Sequence, residues 1–579
     1  MPGSGPEPGP LRDHGIGTEG LKRAERACGE GGSRLARGGR LGRRARTGPR
    51  ASGRGRARRL RDPLLPAAGR DGPPSPRELA EALRERLLAD DAVARLVESV
   101  EVAGPGFLNF RLRRQAFATL VEGMLAEGEE VGRGTQARPL HILLEYVSVN
   151  PNGPLHVGHG RYAAYGNALD RILRFAGHRV TSEFYINDYG RQMEMFGRSV
   201  AARYGQSFGL DLPVPEEGYQ GEYVKEFAAR IRAEVGDQWV ELLATQGLDD
   251  PDSDIVRFFR YRGCDLVLEQ FRAELGGFRV TFDTWFSETP LHNEGRVQGT
   301  IDHLLDTGDA YVKDDAVWLR TSPYGDDKDR VLIRSNERPT YFAADIAYHQ
   351  DKLSRGYDHL INIWGADHHG YIPRMKAAVE ILAHDPSMLE VIIGQMVNLL
   401  EAGELRQMST RSGEMVTLAE LVEAIGVDAA RFFLVMRSHD QTLDLDLDLA
   451  RQQSQENPVY YVQYAHARIA SILRNLPKGL EPAVINHPEV YVTPYERDLI
   501  KSLEEFGGLV LEAAHRRAPH RVAGYAQELA GVFHVFYKHC RVIGAEPAVA
   551  ASRLALVLVA KRVLARCLDL LGVSAPESM

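Results

Sequence analysis

The chain has 579 residues, of which 44% are hydrophobic. This length predicts three or four domains, at roughly 100–200 residues a domain, and the apolar share is enough for a sizeable core. Four widely spaced cysteines without a CxxC pair argue against a disulfide framework or a cysteine-bound zinc and are typical of a reducing cytoplasm. No uncharged run reaches the roughly 18 residues of a membrane span, and no secretion signal is recognisable, so we expect a cytoplasmic protein without membrane contact.

Charge is unevenly distributed along the chain. Residues 1–74 hold 17 Lys/Arg and 7 Asp/Glu, a net of +10, whereas the whole chain carries −8 and residues 75–579 therefore carry −18. This excludes a uniformly basic nucleic-acid binder for the remainder. The Gly/Arg/Pro-rich segment 1–74 is predicted to be disordered. Two origins remain open for it: a mistranslated stretch from a wrong start or frameshift, or a basic RNA-binding tail.

The predicted elements begin near Ser75, which is an N-cap followed by Pro76 at the first helical position. The run RELAEALRERLL has helical spacing. VESVEVAGPGFLNFRL predicts two strands around the turn at 104–106, and a helix is expected from about Arg114 to Glu127.

The next elements predict a nucleotide-binding α/β unit. The apolar run His141–Val149 predicts a buried strand, and GRYAAYGNALDRILRFAG predicts a helix that ends at Gly177, with a Gly/Pro-containing loop between them. HLINIWGA, from His359 to Ala366, predicts a second buried strand. Residues of about 195–335 form a mixed segment that is predicted to be an insertion, and the chain from about Asp428 onward is predicted to be almost wholly helical.

The segment His156-Val157-Gly158-His159 comes where the loop ends and the helix begins. Helix N-terminal N–H groups favour anions, Gly158 lets a flat base approach the backbone, and two imidazoles one turn apart can donate to phosphates. These groups suit nucleotidyl transfer. Ordinary surface histidines or half of a metal site are the alternatives. A zinc-protease motif is excluded, because the HExxH glutamate is absent.

With these residues, LLEYVSVNPNGPLHVGHGRYAAYGNALDRIL resembles the ATP-binding "HIGH" region of class I aminoacyl-tRNA synthetases, in the arginyl form, as does FYINDYGRQME. The similarity covers about residues 76–579. It implies L-arginine, tRNA(Arg) and ATP with Mg²⁺ as substrates, no protein-bound metal, and a monomer. The implied ATP-binding residues are Asp367, Met408, Ser409 and the loop Val149, Asn150, Pro151, Asn152, Gly153, Pro154, Leu155, His156, Val157, Gly158 and His159.

The segment 406–413, RQMSTRSG, resembles the second ATP-binding loop of class I synthetases, KMSK. Met408 and Ser409 fit the pattern, whereas Gln407 and Thr410 stand at the lysine positions. Arg406 and Arg411 are candidates for the lost positive charge, since guanidinium binds phosphate bidentately. We therefore expect His156, His159, Arg406, Ser409 and Arg411 to be the catalytic residues. A polar turn without catalytic role is the alternative for this segment.

A cationic amino acid requires carboxylates in its pocket, because a buried guanidinium without a partner is costly. The resemblance implies that the arginine-binding residues are Glu145, Asn150, Tyr341, Asp345 and His368. Tyr341 and Asp345 are four residues apart and would share a helix face, although such pairs usually lie on a solvated face. His368 stands where the family usually has glutamine.

Near the carboxyl terminus, Asn457 predicts an N-cap, and Tyr461, Tyr464 and Arg468 follow on one helical stripe. This stripe is either bundle core or a surface for RNA bases. The resemblance favours an anticodon-binding domain and hence tRNA binding by these three residues. The predicted domains are a partial amino-terminal tRNA-elbow-binding domain at 75–137, a catalytic domain at 138–440 and a helical domain at 441–579.

The predicted fold is α/β: a Rossmann-like class I catalytic domain with insertions, a carboxy-terminal all-α anticodon-binding bundle and a partial α+β amino-terminal domain. The predicted activity is attachment of arginine to tRNA through arginyl-adenylate. Two alternatives remain open. One is a small HxGH nucleotidyltransferase, which the length disfavours. The other is a synthetase-like RNA-binding protein without catalysis, which the missing KMSK lysines support.

Overall fold

This computed structural model describes residues 75–134, 138–251, 253–405 and 416–579, and five of its strands form one parallel sheet. The strands are β3 (His141–Glu145), β4 (Arg179–Ile186), β5 (Thr284–Ser287), β9 (His359–Gly365) and β10 (Leu389–Gly394). Their order in the sheet is β10-β9-β3-β4-β5. The chain adds β4 and β5 on one side of β3 and later returns to add β9 and β10 on the other side. The strand order therefore reverses between β3 and β9, and ligands bind in the crevice at the carboxyl ends of such strands.

Helices connect and cover these strands, as expected for a parallel sheet. In chain order they are α4 (Val157–Phe175), α5 (Arg191–Gln206), α6 (Glu222–Val235), α7 (Val240–Gln246), α8 (Asp254–Gly277), α9 (Thr289–Asn293), α10 (Arg296–Asp306), α11 (Tyr341–Ser354), α12 (Ile372–Ala383), α13 (Leu418–Val435), α14 (Leu447–Arg451) and α15 (Pro458–Arg474). Helix α4 matches the expected helix and is followed by Gly177 with a φ of 96°. The Asn457 side chain accepts from Val459 N at 3.2 Å at the start of α15, as predicted.

Two smaller three-stranded sheets flank this core. One is antiparallel and consists of β6 (Ala310–Lys313), β7 (Ala316–Leu319) and β8 (Arg330–Ile333). The other has the order β12-β11-β13 and consists of β11 (Val397–Glu401), β12 (Glu404–Leu405) and β13 (Leu443–Asp446). The short helical turns of the chain are at Gly128–Glu130, Ser322–Tyr324, Ala366–Tyr371 and Pro386–Met388.

One predicted boundary was wrong, and two predicted segments each contain a strand that the sequence analysis did not identify. The first strand ends at Glu145 instead of Val149, because Val147 and Ser148 have φ values of 69° and 44° that turn the chain out of the sheet. The predicted insertion at 195–335 is interrupted by β5, which pairs in parallel with β4. The part of the chain after about Asp428 is almost wholly helical, as predicted, and its described residues include the short strand β13, whose alternating sequence LDLD has the two-residue period of a strand.

The chain divides into two compact units. Of the described residues, the first contains 75–129, 476–504 and 535–559, and the second contains those within 130–475, 505–534 and 560–579. The long helices α16 (Pro494–His515), α17 (Pro519–His539) and α18 (Pro547–Leu570) contribute residues to both. Among the described residues, no helix is both long enough and apolar enough to cross a lipid bilayer.

The first unit begins with α1 (Pro76–Ala89), whose Ser75 cap and Glu78 form the reciprocal pair of a capping box. Next come α2 (Asp91–Leu96), the antiparallel strands β1 (Val97–Ala103) and β2 (Phe107–Leu112), and α3 (Arg114–Glu127). The predicted helices and the hairpin are therefore confirmed here. The predictions for residues 1–74 lie outside the described part of the chain.

Candidate active site

The HVGH segment forms the start of α4 at the carboxyl edge of β3. His156 is the N-cap: its Nδ1 accepts from His159 N, and His159 Nδ1 accepts from His156 N, both at 3.3 Å. The two rings are stacked with 3.4 Å between their centroids. Burial lowers the pKa of His156 to about 4, and burial together with His156 holds the pKa of His159 well below its ordinary value. Both rings are therefore neutral at pH 7, with Nδ1 as acceptor and Nε2–H as donor.

Gly158 is required by this ring arrangement. A Cβ atom at Gly158 would lie 2.9 Å from Cε1 of His156, closer than a real contact permits. From the sequence, Gly158 is predicted to let a base approach the backbone, and the structure gives a second reason for a glycine at this position. The glycine lets the imidazole of the N-cap residue fold over its own helix start.

The segment that opens the first predicted ATP loop's helix is hydrogen-bonded through the backbone to residues that follow the second predicted loop in sequence. Val157 N donates to Val416 O at 3.1 Å, and Leu418 N donates to Leu155 O at 2.8 Å. The segment that follows the second loop is thus paired with the segment that opens the first. The side chains predicted for the second loop, namely Arg406, Met408, Ser409 and Arg411, lie outside the described residues.

The loop before His156 is held by residues of α5 and of the segment that follows it. Asn150 Nδ2 donates to Gln192 Oε1 at 2.5 Å, and Asn152 Nδ2 donates to the Tyr219 hydroxyl at 2.7 Å. The Tyr223 hydroxyl in turn donates to the carbonyl of Asn152 at 2.8 Å. These contacts hold the loop between β3 and α4.

Two carboxylates lie together beside this edge of the sheet, on Asp345 and Glu288. Asp345 is in the first turns of α11 and accepts from the Tyr371 hydroxyl. Burial raises the pKa of Asp345 to about 7, and the charges of Glu288 and Glu145 add to this shift. A cation that enters this pocket would restore the ionised form.

Glu288 was not found by sequence reasoning. It directly follows β5, is 3% exposed, and lies 3.0 Å from His292 Nε2. Burial and the charge of Glu288 together hold the pKa of the Tyr185 hydroxyl of β4 well above its ordinary value. The sequence WFSETP carries a usable signal, because a carboxylate directly after a strand of a parallel sheet is in the ligand-binding crevice. That signal required β5 to be recognised as a sheet strand.

Glu145 ends β3 and is 5% exposed. Its carboxylate accepts from Nζ of Lys352, a residue of α11 with no solvent exposure. The negative charge that the sequence assigns to the arginine pocket is therefore offset from within the chain. Glu145 contributes less net charge to a bound cation than predicted, because two buried opposite charges at hydrogen-bonding distance largely cancel.

The remaining predicted pocket residues occupy the rim. Tyr341 is 59% exposed, and its hydroxyl would lie 3.7 Å from a Cβ atom at Gly190. Asp367 and His368 are both exposed on the turn after β9 and lie 3.3 Å apart, carboxylate oxygen to Nε2. The ring centroids of His368 and Trp364 are 6.2 Å apart. Tyr371 of the same turn, and not His368, forms a hydrogen bond with Asp345.

Comparison with known proteins decides the family. Residues 121–455 match the model of "tRNA synthetases class I (R), catalytic domain", residues 462–579 the DALR anticodon binding domain, and residues 59–112 the arginyl tRNA synthetase N terminal domain. The arginine--tRNA ligase of Thioalkalivibrio sulfidiphilus is 44% identical over 533 residues, which cover 87% of this chain and 90% of that protein. That of Geobacillus thermodenitrificans is 46% identical over 508 residues, which cover 87% and 89%.

The chain belongs to the arginyl-tRNA synthetases. The solved Thermus thermophilus arginyl-tRNA synthetase is similar in structure, with a TM-score of 0.69, 27% identity, and coverage of 87% of this chain and 92% of that one. The predicted family, the class I fold and the ligase assignment are thereby confirmed. Neither the nucleotidyltransferase nor the non-catalytic RNA-binding protein is favoured.

The predicted tRNA-binding stripe of this synthetase lies on α15. Tyr461 and Tyr464 are half-buried, and their rings lie 5.0 and 5.9 Å from that of His534. Arg468 donates to the Tyr464 hydroxyl and its guanidinium lies 4.6 Å from the centre of that ring. The stripe is partly packed and partly accessible, so its contact with RNA stays a prediction.

Proposed function

We propose that the chain attaches L-arginine to tRNA(Arg) through an arginyl-adenylate formed from ATP, and that Asp345 and Glu288 select arginine. One observation carries the choice of amino acid. The buried carboxylate of Glu288 and the partly buried carboxylate of Asp345 lie close enough for the charge of Glu288 to raise the pKa of Asp345, and neither forms an ion pair with a lysine or arginine within the described residues. A guanidinium supplies the missing positive charge and several N–H donors in one planar group.

In the first step, a carboxylate oxygen of arginine attacks the α-phosphorus of ATP, the bond to the β-phosphate oxygen breaks, and pyrophosphate leaves. The Nε2–H groups of His156 and His159 donate to phosphate oxygens as charge develops. The backbone pairing of Leu155–Val157 with Val416–Leu418 supports the proposal that Arg406, Ser409 and Arg411 serve the same phosphates. Mg²⁺ enters with ATP as part of this substrate, bound by phosphate oxygens.

In the second step, the 2′-hydroxyl of the terminal ribose of tRNA attacks the carbonyl of the adenylate, and AMP leaves with the bonding electron pair. No side chain forms a covalent intermediate. Asn150 and Tyr341 line the arginine side of the cleft in this proposal, Asp367 binds the ribose of ATP, and Tyr461, Tyr464 and Arg468 contact tRNA. In this proposal His368 also binds arginine, from the turn Ala366–Tyr371 that carries Tyr371 as well.

The proposal is tested by arginine-dependent exchange of labelled pyrophosphate into ATP, with tRNA present. Exchange with arginine and none with lysine or glutamine is expected. A preference for either of the other amino acids would overturn it. The family resemblance further implies that exchange requires tRNA, so full exchange without tRNA would contradict that part alone.

The finer organisation also belongs to the proposal: domains at 75–137, 138–440 and 441–579, a monomer, and a cytoplasmic location. Light scattering on the protein as it elutes from a size-exclusion column should give the mass of one chain. Cell fractionation should recover the activity with the cytosol. A dimer mass or a membrane-bound activity would contradict the respective statement without affecting the reaction.

A further inference from the structure

Lys352 is a buried lysine beneath the proposed arginine pocket, and the reaction described above does not use it. It has 0% exposure, its Nζ donates to the Glu145 carboxylate, and it donates to Asn362 Oδ1 at 3.0 Å. The same Nζ lies 4.3 Å from the centre of the Tyr348 ring. Lysine is almost never fully buried unless it is paired, and an apolar side chain would fill the space at a lower desolvation cost.

The position of Lys352 follows from two periodicities. It lies seven residues after Asp345 on α11, which is two helical turns and therefore the same face. On the sheet, Glu145 of β3 is in register with Glu183 of β4 and with Asn362 of β9. The three side chains thus share one face and meet α11, which brings Lys352 to the central one.

A second buried pair of the same kind lies beside the first. Arg355, one turn after Lys352, donates Nη2 to Glu183 Oε1 at 2.9 Å and pairs with the other oxygen through Nη1. The sheet carboxylates Glu145 and Glu183 are thus each matched by one cation, Lys352 in α11 and Arg355 directly after α11. In the described part of the chain, Asp345 and Glu288 have hydroxyl and imidazole partners and no lysine or arginine.

We propose that Lys352 is a positioning residue for arginine recognition: its ammonium fixes Glu145 and cancels the charge of that carboxylate, so that Asp345 and Glu288 remain the carboxylates open to the substrate cation. This inference rests on the proposed function, in which Asp345 binds arginine. Lys352 touches no reacting atom and acts through the charge of its neighbours.

The groups that face Asp345 make the role measurable. They are the carboxylates of Glu145 and Glu288, the phenols of Tyr185 and Tyr371, the His349 imidazole and the Lys352 ammonium. Burial raises the pKa of Asp345 to about 7, Glu288 and Glu145 contribute to the increase, and Lys352 opposes it. Loss of the Lys352 charge removes the opposing cation and leaves Glu145 without one, so both changes favour protonated Asp345, which cannot pair with guanidinium.

The experiment measures kcat/KM for arginine from pH 5.5 to 9 by pyrophosphate exchange with tRNA present. Lys352→Met keeps the length of the side chain and removes its charge. The acid limb is the fall of kcat/KM towards low pH, and in Lys352→Met the pH at the midpoint of this limb should rise by about one unit. This corresponds to about a tenfold loss of kcat/KM on the acid side, with the KM for ATP unchanged. Arg355→Met is the matched control: it removes the partly exposed cation that pairs with the buried Glu183 and should lower thermal stability without a comparable shift of the midpoint.

Two further variants separate charge from packing. Glu145→Gln alone leaves Lys352 facing Asp345 and should lower the midpoint. The double variant Glu145→Gln/Lys352→Met removes both opposing charges and should return the midpoint towards that of the unaltered protein. If Lys352→Met does not fold, these two variants carry the test, because neither leaves a buried carboxylate without its cation.

The inference is overturned if Lys352→Met folds and keeps the original midpoint, or if Glu145→Gln does not lower it. A failure of the proposed function would give a different experimental result. Asp345→Asn should abolish the acid limb altogether, and an acid limb that survives in this variant would show that Asp345 is not the titrating arginine ligand, whatever Lys352 does.

Discussion

His156 and His159 each accept the other's backbone N–H at Nδ1, with both donor–acceptor distances at 3.3 Å. The pair satisfies two amides that the first turn of α4 would otherwise leave without acceptors. Because both Nδ1 atoms are acceptors, the proton of each neutral ring is on Nε2. The same two histidines thus cap the helix and provide two Nε2–H donors for phosphate.

This dual role predicts different results for two substitutions at one position. His156→Ala should lower kcat by roughly 10²–10³, the usual effect of removing one charge-stabilising donor, and should also lower the free energy of unfolding by about 0.5–2 kcal/mol through loss of the cap. His156→Asn keeps a capping oxygen, so it should retain stability and still lose kcat. Steady-state exchange and thermal unfolding measure the two effects.

His159→Ala should likewise lower kcat by roughly 10²–10³. Unchanged adenylation in both alanine variants would show that the HVGH segment does not bind the phosphates. If His156→Asn were as active as the unaltered protein, the histidine would serve the helix start alone.

The pKa of Asp345 predicts the pH dependence of arginine use. Burial raises this pKa to about 7, and a cation binds the ionised form. Below about pH 7, kcat/KM for arginine should therefore fall towards a tenfold loss per pH unit, whereas kcat at saturating arginine should change less, because bound arginine keeps Asp345 ionised. Asp345→Asn should remove this limb and weaken arginine use by about 2–4 kcal/mol.

The same shift has a consequence for stability with a definite sign. The pKa of Asp345 is higher in the native protein than in the unfolded chain, so ionised Asp345 destabilises the free protein as pH rises from about 4 to about 7. Without arginine, Asp345→Asn should therefore melt at a higher temperature than the unaltered protein at pH 8 and lose this advantage at pH 4. Equal melting temperatures at pH 8 would contradict an unfavourable buried carboxylate.

Local sequence signals were sufficient for much of the fold. Ser75-Pro76, Asn457-Pro458 and Gly177 mark helix ends because capping depends on residues within one turn. The strand, loop and helix around the HVGH segment were predicted for the same reason. Elements that depend on distant partners were missed. β5 has only four residues and becomes part of the sheet through β4, about 100 residues earlier in the chain.

The candidate site shows the same division. Asp345 was found through family resemblance, and its neighbour Glu288 was missed because the signal in WFSETP depends on recognising β5 as a strand of the sheet. The pairing of Glu145 with Lys352 joins residues 207 apart in the chain. Such a pair depends on the register of β3 and the rotation of α11 together, which neither segment's periodicity specifies.

Glu288→Gln should raise the KM for arginine by about 10- to 100-fold, since each tenfold change corresponds to about 1.4 kcal/mol of lost binding. Glu288 is 3% exposed, and its carboxylate carries a charge of the same sign as that of Asp345. Loss of the Glu288 carboxylate therefore removes one of the two negative charges that the pocket offers a guanidinium. Glu294→Gln is the matched control, because Glu294 is exposed six residues further on. An unchanged KM in Glu288→Gln, or an equal rise in the control, would remove Glu288 from the arginine pocket.

The last prediction concerns the second ATP loop, in which Gln407 and Thr410 stand at the positions of the KMSK lysines. Pyrophosphate carries several negative charges as it leaves, so some cation must replace those lysines, and Val416, which follows this loop in sequence, accepts a hydrogen bond from Val157 of the HVGH segment. Replacement of both Arg406 and Arg411 by Gln should raise the ATP KM or reduce kcat at least tenfold, about 1.4 kcal/mol. Arg257→Gln, which removes an exposed charge from α8, should change neither. If the double variant also leaves both parameters unchanged, the compensating cation lies elsewhere in the chain, and the single variants then need not be made. If only one arginine carries the effect, its single variant should reproduce the double, because a guanidinium can bind two phosphate oxygens by itself.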